Sequence, residues 1–541
     1  MKQLILIAGL FLVSITTQGQ KWQHTFGYPG TSEDSRELIE HYDHGYIVTS
    51  CQSSGTQGHG WLVKTDINGN MLWDIEIGIN PDIVIPAKTL FDEEGNIYIF
   101  GLLKQNLPME YPLVVKLDAC GELLWCRLLA LEGYEFGFAT DAIILDNGDL
   151  LSLVFLTDPD YKKMVFLFRM SSDGDLIWIK EYASLENHPY YGTRIGQSIK
   201  MLGDLIVITG YTYSPYPNSP NPYHVYQRPM FIGIDENFEE KWIVEFGIND
   251  SLLGRAETVV PINDTLFMGV GRYRFINENG NMDKKAWLMF FNHQGEQVGY
   301  KILDDDQFGP EVLETCLFEV EQIERDKYLL SAGYLNSEID DYNKGEFVAD
   351  TAGNVYNYTI RENTSGGGGI YIAKTFDKKY VLVANYQSPN QTTSDIYLYK
   401  INENLEQDTV YPGNYTYDSL CPYAIQSGVI DLTGCHVITA IGEIPTLEEY
   451  NQKLLTILIT ASPNPSNTGE ILLEMENTGL FDNLELKVFD VFGNIINAQA
   501  IISGQGALRL DTAGWADGIY VASVFSDGIL KGKCKLVIQY H

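Results

Sequence analysis

Positive charge is what this chain has least of. Lys and Arg together number 36 against 72 Asp and Glu, a formal net charge of −36 spread along the sequence rather than gathered in a tail. A polyanion of this kind repels phosphate backbones and gains nothing from counterion release, which argues against nucleic acid as a partner. What it supplies is a well-solvated exterior, with calcium left open as a beneficiary and no other cofactor indicated. Long apolar runs are lacking too: Leu4 to Ile15 is shorter than the roughly 20 residues that span a bilayer, and no later segment reads as a transmembrane span. Seven cysteines are sparse for a disulfide scaffold in 541 residues. Catalytic signatures are missing, with no GxSxG, HExxH, Walker loop or GxGxxG opening a helix. Carboxylate pairs such as Asp304 to Asp306 are too common in so acidic a chain to be singled out. HYDH at 41–44 offers two imidazoles without an adjacent third ligand, so no metal site is expected, and the chain reads as a non-enzyme.

Residues 1–19 have the form of a signal peptide: a basic start at Met1 and Lys2, the apolar stretch, then Thr17, Gln18 and Gly19 before a cut at Gln20. No Cys stands at the cut, so a lipid-modified N-terminus is not expected. Beyond it, 50 Gly, 34 Tyr and few helical periodicities indicate a large all-β protein of more than one domain. Cys421 and Cys435 are the candidate disulfide, while Cys120 and Cys126 flank a hairpin and read equally well as reduced strand residues.

An internal repeat organises the first four hundred residues or so. Trp22, Trp73, Trp125, Trp178 and Trp242 are each followed four residues on by an apolar or aromatic residue and then by Gly or Ala. Before the later four come strand, turn, strand phrases such as GWLVKTDINGN at Gly60 and PLVVKLDACGE at Pro112. A third phrase precedes every hairpin: NIYIFG at Asn96, DLIVITG at Asp204 and TLFMGVG at Thr265 are near-continuous apolar runs ending in a small residue, which suits a strand covered on both faces. A fourth strand lies upstream, as in ELIEHY at Glu37. Four strands per unit and seven units, spaced roughly 50 to 63 residues apart, predict a seven-bladed β-propeller-like domain over residues 20–412. An eight-unit ring or an open solenoid is the alternative. Trp22 belongs to a final strand with no unit in front of it, so it is expected beside the strands near Asp395, closing the ring and covering an edge. The repeated tryptophans are read as packing, not as a sugar platform. The DINGN turn at 66–70 is read as a hairpin turn needing positive φ rather than as a calcium loop, because its glycine comes fourth.

Departures from the repeat are where function is expected. The clearest is the Pro- and Tyr-rich insertion from Tyr211 to Pro229, whose Tyr211, Tyr213, Tyr216, Tyr223, Tyr226 and Arg228 form the candidate ligand contact. Residues 413–455 read as a closing segment and linker, and 456–541 as a small β-sandwich of six or seven short strands.

The tail resembles the type A C-terminal sorting domain of the type IX secretion system. The likeness is carried by Pro463, Asn464, Pro465 and Gly469, by Asp490 and Gly493, by Gly518 and Tyr520, and by Lys533 and Lys535 before the final apolar residues. It implies an exported protein of a Bacteroidetes-type cell, with the secretion machinery and a sortase as partners, and release or attachment to surface lipopolysaccharide on the outer face of the outer membrane. The repeat region resembles propeller-like proteins that carry this tail, a likeness that implies architecture and no activity. The expected role is a non-catalytic surface or secreted propeller that binds a glycan or protein. The alternatives are an exported glycan- or peptide-cleaving enzyme, which would show convergent His, Asp, Glu or Arg on the axis, and a structural surface component.

Overall fold

The computed structural model describes residues 20–539 except 55–56, 80–81, 105–109, 135, 184–193, 216–224, 247–252, 277–281, 337–340, 365–368, 389–390, 439–456, 482, 492 and 527. The expected signal peptide therefore lies outside the described residues. Contacts divide the chain into two compact units, residues up to 432 with 438–442, and 433–437 with 443–541. Among the described residues there is no α-helix, and no helix long and apolar enough to cross a membrane.

The first unit is a closed ring of seven four-stranded antiparallel blades. Their innermost strands are Ser32–Glu40, Ile83–Phe91, Phe136–Ile144, Arg194–Leu202, Leu253–Asn263, Val312–Glu324 and Tyr371–Lys374, and each neighbours the next in cyclic order, the seventh returning to the first. The apolar phrases are the second strands. Ile97–Lys104 is buried continuously as far as Leu103, as a strand sandwiched between adjacent blades requires. Outermost strands such as Glu240–Glu245 and Gln297–Ile302 have no fully buried residue. Closure follows the sequence expectation: Gln23–Phe26 runs antiparallel to Asp395–Ile401, pairing Gln23 with Tyr399 and Phe26 with Ile396, and so completes the seventh blade from the N-terminal side.

In six blades the third and fourth strands are joined by the same five-residue turn, and the turn recurs at 402–406 after the third strand of the seventh, whose fourth strand is Gln23–Phe26. In the first, Asp66 N–H and carbonyl bond to Asn70 O (2.8 Å) and Gly69 N–H (3.0 Å), while the Asp66 carboxylate accepts Asn68 N–H, Asn70 N–H and the Asn70 amide, each at 2.8 Å. The carboxylate is thus used by the turn itself. The fourth turn residue has positive φ in all seven, Gly69 at 79° being typical and Phe238 at 61° one of the two that are not glycine. The tryptophans of the outer strands use these turns as seats. Trp22 Nε1–H donates to Ile67 O at 2.9 Å, Trp125 to Ser172 O at 3.2 Å and Trp242 to His293 O at 3.0 Å, each on the turn of the next blade. A Cβ on Gly69 would collide with the His24 ring and crowd Trp22, and one on Gly295 would collide with Trp242.

The segment after the ring stays with it. Asp418 N–H donates to Asp43 Oδ2 at 3.0 Å, Trp73 Nε1–H donates to Asp418 Oδ2 at 3.2 Å, and Gly428–Ile430 adds a parallel strand outside Ile75–Ile77. This course corrects the disulfide expectation. Cys421 is bonded to Cys120, 301 residues earlier with Cα atoms 5.5 Å apart, and not to Cys435. Proximity in sequence misled because the segment crosses the edges of the first two blades, which brings Cys421 to the second blade's turn. Cys126 and Cys435 are also disulfide-bonded, and Cys51, Cys316 and Cys534 are free.

The second unit holds two sheets, Leu458–Ser462, Glu470–Glu476 and Ala507–Asp511 in one, and Leu484–Phe489, Ile495–Ile501, Gly518–Ser526 and Ile529–Ile538 in the other. Their inner faces share a core that includes Ile471, Leu473, Leu486, Val524 and Leu536.

Candidate functional site: the ring axis

Six of the seven innermost strands carry the same irregularity, and the seventh, Tyr371–Lys374, pairs without a break. Pairing between first and second strands skips Arg36, Ala87, Thr140, Gln197 and Glu257 in blades one to five, and Phe318 with Glu319 in blade six. A bulge turns a side chain out of the ladder and re-aims it. Here every skipped residue lines one axial cavity of about 540 Å³. The small residue that ends the apolar second strand stands opposite. Gly101, Gly210 and Gly271 pair with Pro86, Gly196 and Ala256, and a Cβ on any of the three would strike the carbonyl oxygen of Ile85, Ile195 or Arg255. The small residue is therefore needed by the bulge inside its own blade. This is the signal that could have located the axis from sequence, since the inner residue just past the one facing that small position points into the cavity.

The wall is charged. Lys88 lies 2.5 Å from Glu37 and 4.0 Å from Asp141. Burial works against its ammonium, but the two carboxylates outweigh it and hold the group above the usual lysine range. Asp141 is also fixed by the N–H groups of Ile199 (2.8 Å) and Ala142 (2.9 Å). Glu257 is bonded to Arg255 and, at 2.8 Å, to Arg272, and burial raises its carboxyl above the ordinary range despite Arg255. Lys284 sits 3.6 Å from Glu314, and Lys344 lies over the Phe318 ring at 4.7 Å. Two groups stand apart. Lys200 and the Glu319 carboxylate make no hydrogen bond or ion pair among the described residues. Burial pushes Glu319 up to about 7, with Lys200 pulling it down and Glu37 pushing it further up.

Among the described residues, the tyrosine-rich insertion meets this site at its root. Tyr211 is buried, packs edge-on against Tyr213 at 5.5 Å and lies under the Arg255 guanidinium at 5.8 Å. Arg228 is half-buried opposite Thr212 in the hairpin. Tyr216, Tyr223 and the Tyr226 side chain lie outside the described residues. HYDH is structural: Lys64 Nζ, fully buried, donates to His41 Nδ1 at 2.8 Å and to Asp43 Oδ1 at 2.5 Å, and burial together with Lys64 lowers His41 to about 4. Among the described residues no group of three or more His, Cys, Asp or Glu is placed to hold a metal ion.

In the tail, most of the motif residues do structural work. Asn464 accepts Val537 N–H at 2.8 Å and donates to Lys535 O at 2.7 Å, tying the domain's start to its last strand. Gly469, with φ 80°, accepts Thr512 N–H at 2.8 Å. Asp490 and Gly493 form the same turn as in the blades, and Tyr520 donates to Ala516 O at 2.8 Å. Gly518 begins the strand carrying Tyr520, and Pro463 and Pro465 flank Asn464. Lys533 and Lys535 are exposed two residues apart, on one side of the last strand.

Three solved structures are similar to part of the chain. Polysaccharide lyase Uly1 is 11% identical, covers 72% of this chain and 94% of its own, and has a TM-score of 0.46. The β-propeller domain of the Trilobed protease from Pyrococcus furiosus is 10% identical, covers 72% and 98%, and scores 0.35. A protein of unknown function from Dyadobacter fermentans is 9% identical, covers 69% and 98%, and scores 0.39. No curated protein matches the chain in sequence. Residues 461–539 match the secretion system C-terminal sorting domain family. The tail is thus a type IX sorting domain, and it marks the chain as an exported protein of the cell surface or the medium.

Proposed function

We propose that the chain is an exported binding protein whose ligand seats in the axial cavity rather than on the tyrosine-rich insertion. The observation that carries this is the repeated bulge: six blades each spend a ladder position to aim a side chain at one space of about 540 Å³, the size of a small-molecule site. The test is a glycan and peptide array probed with the full chain, a variant lacking 216–224, and the double variant Arg36→Ala/Lys200→Ala. Loss of signal only in the double variant supports the axial site; loss only in the deletion returns it to the insertion.

A second reading, an exported enzyme, is favoured by Glu319. An unpaired carboxyl near neutral pKa in a cavity suits proton transfer. Under that reading Glu319→Gln leaves ligand bound and abolishes turnover, read as new reducing ends or new amines after incubation with each array hit.

A further inference from the structure

We infer that the ligand of the axial cavity is an oligosaccharide carrying carboxylate or sulfate groups, an inference that rests on the axial reading above. The protein is strongly acidic, with a net charge of −36, yet seven Lys or Arg side chains line this cavity against four Asp or Glu. That inversion of sign focuses an attractive field where the surrounding surface repels. Most of the cations are already engaged with Glu37, Glu257, Glu314 or Phe318, as the distances above show. Lys200 is less so: its ammonium makes no hydrogen bond or close ion pair among the described residues, and Glu319 and Glu321 act on it only through the longer-range field. Arg36 is paired through its Nη2 with Asp34 at 2.5 Å, but its buried Nε–H has no acceptor. Two cationic groups from facing blades thus retain capacity for an acceptor that the protein does not supply, and a carboxylate or sulfate oxygen fits both.

The remaining wall selects the kind of anion. Four carboxylates would repel a polyphosphate, whose charge is dense. They are good acceptors for hydroxyl donors, and Glu319 is open to such a donor. The amide of Gln197 and the rings of Phe138 and Phe318 also line the cavity. An amide and aromatic faces beside mixed charges suit a molecule with many hydroxyls, apolar C–H faces and sparse negative groups. A sugar chain with occasional carboxylates or sulfates has those properties. An acidic peptide has the charge without the hydroxyls.

The experiment is a calorimetric titration of the full chain with four probes: short oligogalacturonates, the same oligomers methyl-esterified, short κ-carrageenan oligosaccharides, which carry sulfate and no carboxylate, and a tetra-glutamate peptide. The expected result is binding of one or both charged sugars at least tenfold tighter than the esterified oligomer and the peptide. The two charged sugars distinguish carboxylate from sulfate. Lys200→Ala should weaken that binding about tenfold, and Lys241→Ala, on an outer strand, should leave it unchanged. Should Lys200→Ala fail to fold, Lys200→Gln and the salt dependence of the wild-type chain give the same readout. Equal binding of the esterified oligomer, still lost on Phe318→Ala, would overturn the anionic assignment and leave the axial site standing. Preference for the peptide would overturn the saccharide assignment. No binding by any probe would count against both the inference and the reading beneath it.

Discussion

The turn after the third strand recurs in all seven blades and the bulge in the innermost strand in six, yet they use repetition differently. At the turn the backbone requirement is the same every time, positive φ and a short polar residue closing the loop on itself, and in blades one, three and five a tryptophan of the preceding blade is hydrogen-bonded to it. At the bulge only the backbone deviation repeats. The side chain it releases is Arg36, Ala87, Thr140, Gln197 or Glu257 according to the blade. A scaffold contact has one best solution, and a ligand contact has as many as the ligand has surfaces. The comparison teaches that uniform repeats mark the frame, while a uniform backbone with variable side chains marks the site.

Breaking the frame should have the largest effects. Trp22→Ala removes a fully buried ring from both the closing strand and the first blade's turn. The expected loss is about 3–5 kcal/mol by denaturant unfolding. Serine in place of Cys120 and Cys421 releases the bridge over 301 residues, with an expected loss of about 2–4 kcal/mol relative to the oxidised chain. Gly271→Val tests the link between frame and site, because the added atoms press on the Arg255 carbonyl across the bulge. It should cost about 1–3 kcal/mol and also weaken ligand binding, whereas a rim change of equal cost, such as Gly295→Ala, should leave affinity intact. At the axis, Lys200→Ala should move stability by no more than about 0.5 kcal/mol while affinity falls.

The smallest effect concerns pH. Glu319 is faced by Lys200, Lys88, Glu37 and Asp141. Its carboxyl, raised to about 7 in the folded ring, takes up a proton as pH falls from 8 to 6, and the cavity loses one negative charge. Affinity for an anionic sugar should therefore rise several-fold over that interval, and Glu319→Gln should flatten the profile at the high-affinity end. An unchanged slope in that variant would assign the titration elsewhere.

Much of the frame was readable from sequence because its rules are local. The DINGN turn, the tryptophan phrases and the apolar second strands each state their geometry within a few residues, and the unpaired Trp22 phrase was enough to place the closing strand. The axis was not readable in the same way. A bulge shifts the alternation by one, so Arg36 and Glu257 look like ordinary strand residues, and their convergence depends on seven strands far apart in the chain. Composition drew attention instead to the tyrosine-rich insertion, of which Tyr211 has a described contact with a cavity residue. Cysteine spacing failed for a related reason, because neighbours in sequence were separated by a segment that travels along the ring.

The closing strand has one more consequence. Gln23–Phe26 emerges among the first residues of the ring and finds its partner only at Asp395–Ile401, after every other blade has been made. The sorting domain is encoded later still, at 461–539. A chain cut short anywhere in the ring therefore loses the strand that would complete the circle and also its export label. The label doubles as a certificate of completeness, because a chain that has been made as far as the label already carries every strand of the ring.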